Sequence, residues 1–356
     1  ADYNSVGSNY GAEAGESKAH TYHWLHTFNA LGHLKTGTGD LTADYPGALA
    51  FDDENGERTY VVYNFSAQPI TVTYSDGRHV TASAKGFTLE DSSSYDNGQD
   101  LKLAIDAEKW FHQTKLPNGS SWYNNEQQHY TNRLDNSYVS DGTLKIVAKK
   151  EEFTDQGVGK QYTSARLNSK YAFKYGRVEV RAKMPVGVGT WPAIWMLGKN
   201  IDEPGGYWTT EGFGDTPWPQ AGELDIMEHW GSNQNMVSSA IHSPSSYGGT
   251  INKGEQYLAT ASTQFHTYSL EWSSEEMIFA VDGFEHYRYN PAVKDANTWP
   301  FDSEMYLLLN VAIEPSITPG FDESAMEVDF VRVYDISSGQ PMWSDEFAGG
   351  VLSSSP

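Results

Sequence analysis

Residues 222–230 of this chain read Gly222-Glu223-Leu224-Asp225-Ile226-Met227-Glu228-His229-Trp230. Neighbouring side chains of a β-strand point to opposite faces, so Glu223 and Asp225 share one face while Leu224 packs into a core behind it. Glu228 is out of phase by one residue. A single β-bulge, most simply at Met227, would return it to the face of the other two acids. We therefore predict a bulged strand that carries three carboxylates on one face.

The sequence around this strand has an all-β texture. Segments with a period of two, such as Gly142–Ala148 and Tyr175–Met184, are separated by turns rich in Gly, Pro, Asn and Asp. Helical periodicity is nearly absent over residues 96–350. Many short strands in a domain of this length predict a β-sandwich or jelly roll, and we assign residues 96–350 to it.

Residues 1–95 are expected to form a smaller accessory module with its linker. Lys18–Leu31 has apolar positions at helical spacing, and three strand-like runs follow it at Ala48–Phe51, Thr59–Phe65 and Ile70–Tyr74. The segment Glu90–Ser94 is typical of a linker. The module is thus predicted to be mainly β with one helix. Three histidines recur at every third position: His20, His23 and His26. A metal site is one interpretation, but no set of carboxylates or cysteines stands at ligand spacing, and we favour surface or capping residues.

The composition restricts the partners of the chain. It carries 47 acidic and 24 basic residues among 356, a net charge of −23, and this field repels nucleic acid and anionic membranes. No cysteine is present, which excludes thiol catalysis and disulfides. No run of 18 apolar residues is found, so no membrane span is expected. A neutral polysaccharide fits this charge, and we expect a monomer.

The three carboxylates indicate acid–base chemistry. Like charges at close range raise one pKa, which leaves one acid protonated and another ionised at neutral pH. Retaining glycosidases need this division: one carboxylate attacks the anomeric carbon, and the other, about 5–5.5 Å away, protonates the leaving oxygen. Asp225 between them is placed to hydrogen-bond the nucleophile. The alternative is an exposed strand face with ordinary solvated charges.

Tryptophans near this strand favour a sugar-binding surface. Trp191 and Trp195 are four residues apart, which places both on one face of a strand. Aromatic faces of this kind stack on the C–H groups of sugar rings, whereas a buried structural role is the alternative for each. Trp122, Trp230 and Trp299 are further candidates, either as sugar platforms or as core or rim residues.

Six motifs in a fixed order resemble glycoside hydrolase family 16, of the bacterial laminarinase type, across about residues 105–335. They are Tyr123–Glu126, Thr163–Arg166, Thr190–Leu197, Glu223–Glu228, His242–Ser246 and Val328–Tyr334. The resemblance implies a concanavalin-like jelly roll of two curved antiparallel sheets with an open cleft. It also implies endo-acting hydrolysis of β-1,3-glucan with retention of configuration, without a catalytic cofactor.

The resemblance also implies roles for individual residues. Glu223 matches the nucleophile, Glu228 the acid/base and Asp225 the residue between them. The residues that match substrate-binding positions are Trp191, Trp195, Arg166, Asn124 or Asn125, and His242. Mixed-linkage β-glucan, agarose or another galactan stays open as substrate. A non-catalytic glucan-binding protein on the same scaffold also stays open.

One departure from the family concerns the strand W-S-D-E-F, which family members usually carry before the motif Ile105–Trp110. Here it stands at Trp343–Phe347, far downstream. A circular permutation that displaces the first strand is one interpretation, and a truncated second catalytic copy is the other. A structural Ca²⁺ implied by the resemblance would use the side chains of Asp329 and Glu346 and a carbonyl near Gly142.

Segments of the N-terminal module resemble the tail region of bacterial family 81 endo-1,3-glucanases, namely Ala19–Trp24 and Thr42–Pro46. A packing module and a glucan-binding module are both compatible with this resemblance. The start Ala1-Asp2-Tyr3 has no basic and then apolar secretory signal. From the expected function we nevertheless predict a secreted protein whose signal has been removed.

Overall fold

The structure, a computed structural model, describes residues 33–34, 41–52, 58–91 and 102–347. The chain divides into two compact units, Ala1–Leu101 and Lys102–Pro356. Among the described residues, no helix is both long and apolar enough to cross a membrane.

The described residues of the first unit form two small sheets. Its strands are β1 (His33–Leu34), β2 (Ala48–Asp52), β3 (Arg58–Tyr63), β4 (Ile70–Thr73), β5 (His79–Ala82) and β6 (Phe87–Asp91). One sheet has the order β1-β2-β3-β6, and β4 pairs with β5 as a separate hairpin. A core that includes Tyr60, Val62, Val72 and Val80 lies among these strands.

The three strand predictions for this unit are confirmed as β2, β3 and β4. The linker prediction was wrong at its first two residues, because Glu90 and Asp91 pair with Tyr60 and Thr59 as the end of β6. These two acidic residues are followed by serines, and nothing in this sequence indicates that their backbone pairs with β3. The predicted helix Lys18–Leu31 and the three histidines within it lie outside the described residues.

The second unit is almost entirely β. Its strands are β7 (Trp110–His112), β8 (Gln128–Tyr130), β9 (Ser137–Ser140), β10 (Thr143–Asp155), β11 (Val158–Ser164), β12 (Arg166–Phe173), β13 (Gly176–Lys183), β14 (Thr190–Gly198), β15 (Glu223–His229), β16 (Met236–His242), β17 (Lys253–Tyr257), β18 (His266–Trp272), β19 (Met277–Val281), β20 (Phe284–Tyr289), β21 (Met305–Ile313), β22 (Glu323–Tyr334) and β23 (Pro341–Asp345). The short helical pieces are α1 (Tyr207–Thr210) and two 3₁₀ turns, Tyr123–Asn125 and Gly231–Asn233.

These strands form two stacked sheets, which confirms the predicted jelly-roll sandwich. The seven-stranded sheet has the order β17-β16-β15-β14-β21-β12-β7. The other sheet follows β20-β19-β18-β13-β22-β10-β11-β8, with β23 beside β22 and β9 beside β10. Neighbours are antiparallel except β8 and β11, which are parallel. All nine residues of β21, a central strand of the seven-stranded sheet, are buried.

The segment Trp343–Phe347 docks into this sandwich. Its strand β23 pairs antiparallel with β22, and Val331 lies opposite Asp345. The buried Asp345 carboxylate accepts a 2.8 Å hydrogen bond from the indole Nε1 of Trp110 in the other sheet. Trp343 and Phe347 pack on the same indole ring. The motif therefore completes the second unit from its C-terminal side. Its origin by permutation or by a truncated copy stays a prediction.

Candidate active site

An open cleft of about 1110 Å³ lies on the outer face of the seven-stranded sheet. Its floor includes alternate residues of β14, β15 and β16. Period-two alternation assigns the tryptophans of β14 to one face and the acids of β15 to one face. The lining includes nine of the predicted site residues: Asn124, Arg166, Trp191, Trp195, Glu223, Asp225, Glu228, Trp230 and His242. Asn125 is not among the residues that line the cleft, although its neighbour Asn124 is.

A β-bulge in β15 brings the three carboxylates together. Asp225 lies opposite Ala240 of β16, and Glu228 lies opposite Ser238, so three residues along β15 face two along β16. Pairing with β14 shifts at the same place, which puts the extra residue at Ile226–Met227. The predicted bulge is thus confirmed. Both bulge side chains are buried in the core, while the carboxylates face the cleft.

Glu223 begins β15 next to a tight turn. The preceding Gly222 has φ +76°, and a Cβ there would lie 2.7 Å from the Phe301 ring, so only glycine fits. The Glu223 carboxylate accepts a 3.1 Å hydrogen bond from the indole N–H of Trp218. This donor favours the ionised carboxylate, which is the form a nucleophile needs.

His242 on the neighbouring strand β16 lies beside Asp225. His242 Nε2 lies 3.1 Å from an Asp225 oxygen and 3.6 Å from a Glu223 oxygen. The other ring nitrogen, Nδ1, accepts the backbone N–H of Gly248 at 3.1 Å. This bond leaves the proton of a neutral ring on Nε2, the nitrogen that faces the two carboxylates.

Glu228 has a tryptophan as its donor. The indole N–H of Trp191 lies 3.0 Å from Glu228 Oε1. The Trp191 ring stacks on Trp230, with centroids 5.9 Å apart and planes at 22°. The predicted platform tryptophan therefore also orients the proposed acid/base. Of the other tryptophan candidates, Trp122 and Trp299 are buried in the interior.

Burial dominates the ionisation of this cluster. Removal from water is the largest cause, and the nearby Asp225 carboxylate the next, of a pKa of Glu228 that is raised to about 8. Burial also raises the pKa of Glu223, with Asp225 as the next cause, and it raises the pKa of Asp225. Three carboxylates so placed do not all ionise at neutral pH, so the cluster retains protons. A proton for the leaving group is therefore available at Glu228.

The far end of the cleft carries a buried ion pair. Arg166 bonds Glu203, and both side chains are almost fully buried. The guanidinium lies over the Trp195 ring at 4.7 Å, and Trp195 N–H bonds Asn310 at 2.8 Å. Trp195 thus lines the cleft with one face covered by the arginine. That the other face of the Trp195 ring serves as a sugar platform stays a prediction.

Sequence reasoning missed two residues of this site. Trp218 belongs to the loop before β15, five positions from Glu223, and no strand periodicity reaches it. Glu203 lies in the same loop, where an isolated acid is usually solvated. Its pairing with Arg166 depends on how the loop folds back over β12.

The two predicted calcium-binding carboxylates are already ion-paired. Asp329 lies at a register shift in β22 and pairs with Arg181. The Glu346 carboxylate takes two hydrogen bonds from Arg332, at 2.9 and 2.6 Å. A cation at this place would have to displace both guanidinium groups. In this arrangement the carboxylates therefore fit arginine rather than Ca²⁺.

Comparison with known proteins identifies the family. The glycosyl hydrolases family 16 matches residues 124–332, and the chain belongs to this family. A β-glucanase of Rhodothermus marinus is 37% identical over an alignment of 246 residues, and the match covers 64% of this chain and 80% of the relative. A variant of LamA from Z. galactanivorans, solved with laminaritriose and laminaritetraose, is 44% identical with a TM-score of 0.61. The match covers 66% of this chain and 95% of LamA.

A further solved structure agrees. The laminarinase from Flavobacterium sp. UMI-01 is 36% identical with a TM-score of 0.56, and the match covers 67% of this chain and 96% of that protein. The predicted family, its jelly-roll fold and its retaining endo-glycosidase chemistry are thereby confirmed. The chain is an enzyme that needs no catalytic cofactor.

Proposed function

We propose that this enzyme hydrolyses internal β-1,3 linkages of a laminarin-type glucan, with Glu223 as nucleophile and Glu228 as acid/base. The observation that carries the proposal is the bulge at Ile226–Met227. It places both acids on the cleft face and leaves each with its own indole donor, Trp218 or Trp191.

The chemistry follows in two steps. Glu223 attacks the anomeric carbon while Glu228 gives its proton to the leaving glycosidic oxygen, which forms a covalent glycosyl–enzyme ester. Glu228, now ionised, takes a proton from water, whose oxygen attacks the same carbon and releases Glu223. Two displacements at one carbon retain its configuration. Asp225 and His242 lie beside Glu223 and keep the charge and proton of the cluster in place.

The relatives support a β-1,3-glucan as substrate. LamA was solved with laminari-oligosaccharides, and the Rhodothermus protein is named a β-glucanase. An open cleft walled by Trp191, Trp218 and Trp230 suits a chain of uncharged sugars. The chain's strong negative charge disfavours a highly sulfated galactan.

Parallel digestion of laminarin, mixed-linkage β-glucan and agarose tests the substrate. We expect a mixture of short oligosaccharides from laminarin at early times, because an open cleft binds the interior of a polymer. Chromatography of the products at low conversion measures this. Cleavage of agarose alone would leave the mechanism intact and show that the substrate class is wrong.

The pH profile should depend on Asp225. Glu228 must be protonated in the first step, and its pKa is raised, so activity is present below about pH 8 and is lost as pH rises through that value. The Asp225 charge contributes to this raised pKa. We therefore expect Asp225→Asn to move the alkaline limb of kcat/KM to lower pH, together with a fall in rate. An unmoved limb in the variant would show that Asp225 does not act on Glu228.

Three properties remain proposals from the sequence and the family resemblance. We propose a secreted monomer without nucleic-acid or membrane partners, because a polymeric substrate is met outside the cell. Comparing the activity in the culture medium with the activity in the cell lysate tests secretion. Light scattering of the purified protein tests whether it is a monomer.

The calcium site proposed at Asp329, Glu346 and Gly142 is tested by the melting temperature measured with Ca²⁺ and with EDTA. A difference that Glu346→Gln abolishes would mean that the cation binds there and displaces Arg332.

A further inference from the structure

The back of the catalytic bulge is held by a buried serine. Ser239 on β16 faces the interior, and its neighbours Ser238 and Ala240 line the cleft. Its hydroxyl donates a 2.7 Å hydrogen bond to the carbonyl oxygen of Ile226, inside the bulge. A bulge locally disrupts the hydrogen bonds between neighbouring strands. A side-chain donor at this point therefore stabilises the backbone where interstrand hydrogen bonding is weaker.

A histidine from the other sheet continues this chain of hydrogen bonds. His286 on β20 places Nε2 2.8 Å from Ser239 Oγ. The single hydroxyl proton of Ser239 goes to the carbonyl, which can only accept, so Ser239 accepts from His286 Nε2–H. The buried His286 Nδ1 has no hydrogen-bond partner among the described residues, as suits an unprotonated nitrogen. Burial lowers the pKa of His286, which favours this neutral ring.

A glycine permits the two sheets to approach at this point. Gly254 on β17 lies directly opposite Ser239. A Cβ at Gly254 would lie 2.5 Å from Tyr287 Cβ and 2.8 Å from the His286 carbonyl oxygen. Any larger residue would push β20 away. The missing side chain therefore lets His286 reach across to Ser239.

We propose that Ser239 and His286 are positioning residues that fix the bulge at Ile226–Met227 and thereby aim Glu228 into the cleft. They form a His286–Ser239–Ile226 chain and touch neither substrate nor reacting atoms. The inference rests on the catalytic role proposed for Glu228. If the bulge relaxed, Glu228 would turn towards the opposite face, because side chains alternate along a strand.

Substitutions in this chain should reduce turnover more than binding. We expect Ser239→Ala and His286→Leu each to lower kcat about 10–100-fold with KM changed less than about threefold, because a misplaced acid loses alignment in the transition state. His286→Gln keeps an N–H at the place of Nε2 and should recover most of the rate. Ser269→Ala is the matched control, since Ser269 on β18 of the other sheet also bonds a strand carbonyl, that of Ala280.

Melting temperatures measured on the same variants separate positioning from packing. Equal losses of kcat in His286→Leu and His286→Gln, in step with their melting temperatures, would overturn the proposal. Unchanged kcat in a folded Ser239→Ala would overturn it too. If Ser239→Ala does not fold, the two His286 variants decide the question. Glu228→Gln in the same assay separates the role of Glu228 from the role of Ser239 and His286. If Glu228→Gln stays active, the acid/base role of Glu228 is wrong. If Glu228→Gln loses activity while the Ser239 and His286 variants keep theirs, only the positioning role is rejected.

Discussion

Replacing Glu223 by glutamine is expected to lower kcat on laminarin by several powers of ten, with little change in KM. The amide has the shape of the carboxylate and can still accept the indole hydrogen bond of Trp218. It is too weak a nucleophile to form the glycosyl–enzyme ester. Release of reducing ends from laminarin measures the effect. The variant should keep its stability, because removing a carboxylate whose pKa is raised by burial also removes a charge that is costly to bury.

Glu271→Gln provides the matched control for this substitution. Glu271 is an exposed glutamate on β18 in the opposite sheet, so its change to glutamine should leave kcat as it was. A Glu223→Gln enzyme with more than a small fraction of the original activity would show that another group attacks the anomeric carbon. The assignment of the nucleophile would then be wrong.

Replacing Glu228 by alanine should produce the second large loss, of about 10²–10⁴-fold on laminarin, since general acid–base catalysis contributes roughly this factor. The loss should depend on the leaving group. An aryl β-glycoside with an acidic phenol needs no proton in the first step, so its glycosyl–enzyme should still form. Azide, which needs no general base, should then attack the intermediate and restore turnover. Chromatography and NMR of the products measure this.

The configuration of the azide product separates the two acids. In Glu228→Ala, azide displaces Glu223 from the covalent intermediate and gives the β-glycosyl azide. In Glu223→Ala, azide would displace the leaving group directly and give the α-anomer. An α-azide from Glu228→Ala would reverse the two roles. The acid/base assignment would be contradicted if azide did not restore the turnover of Glu228→Ala and if this variant lost as much activity on the aryl β-glycoside as on laminarin.

The sequence was sufficient for the part of the site that one strand contains. Glu223, Asp225 and Glu228 lie within six residues, so alternation and a one-residue phase shift predicted both the bulge and the shared face. Trp191 and Trp195 followed from the same rule on β14. For these residues the period-two alternation predicts which side chains share a face, because the core behind each strand determines which of its side chains point inward.

The remainder of the site depends on contacts between distant segments. Trp218 reaches Glu223 from an irregular loop, and the neutral tautomer of His242 follows from its bond to the Gly248 backbone. Arg166 was identified through the family resemblance, but its buried partner Glu203 has no local signature. The link from Ser239 to His286 joins residues 47 apart in two different sheets. Such pairings are set by tertiary packing, which alternation along one strand does not describe.

The hydrogen bond between Trp110 and Asp345 joins residues that are 235 positions apart, across the two sheets. Contacts of this sequence separation close late and slow the folding of β-sandwiches, because the chain between them must first be ordered. A ribosome that has made the cleft strands β14, β15 and β16 has not yet made β23. The catalytic carboxylates are thus translated well before the strand that completes their scaffold, and the unit reaches its full hydrogen bonding only after residue 345 has emerged.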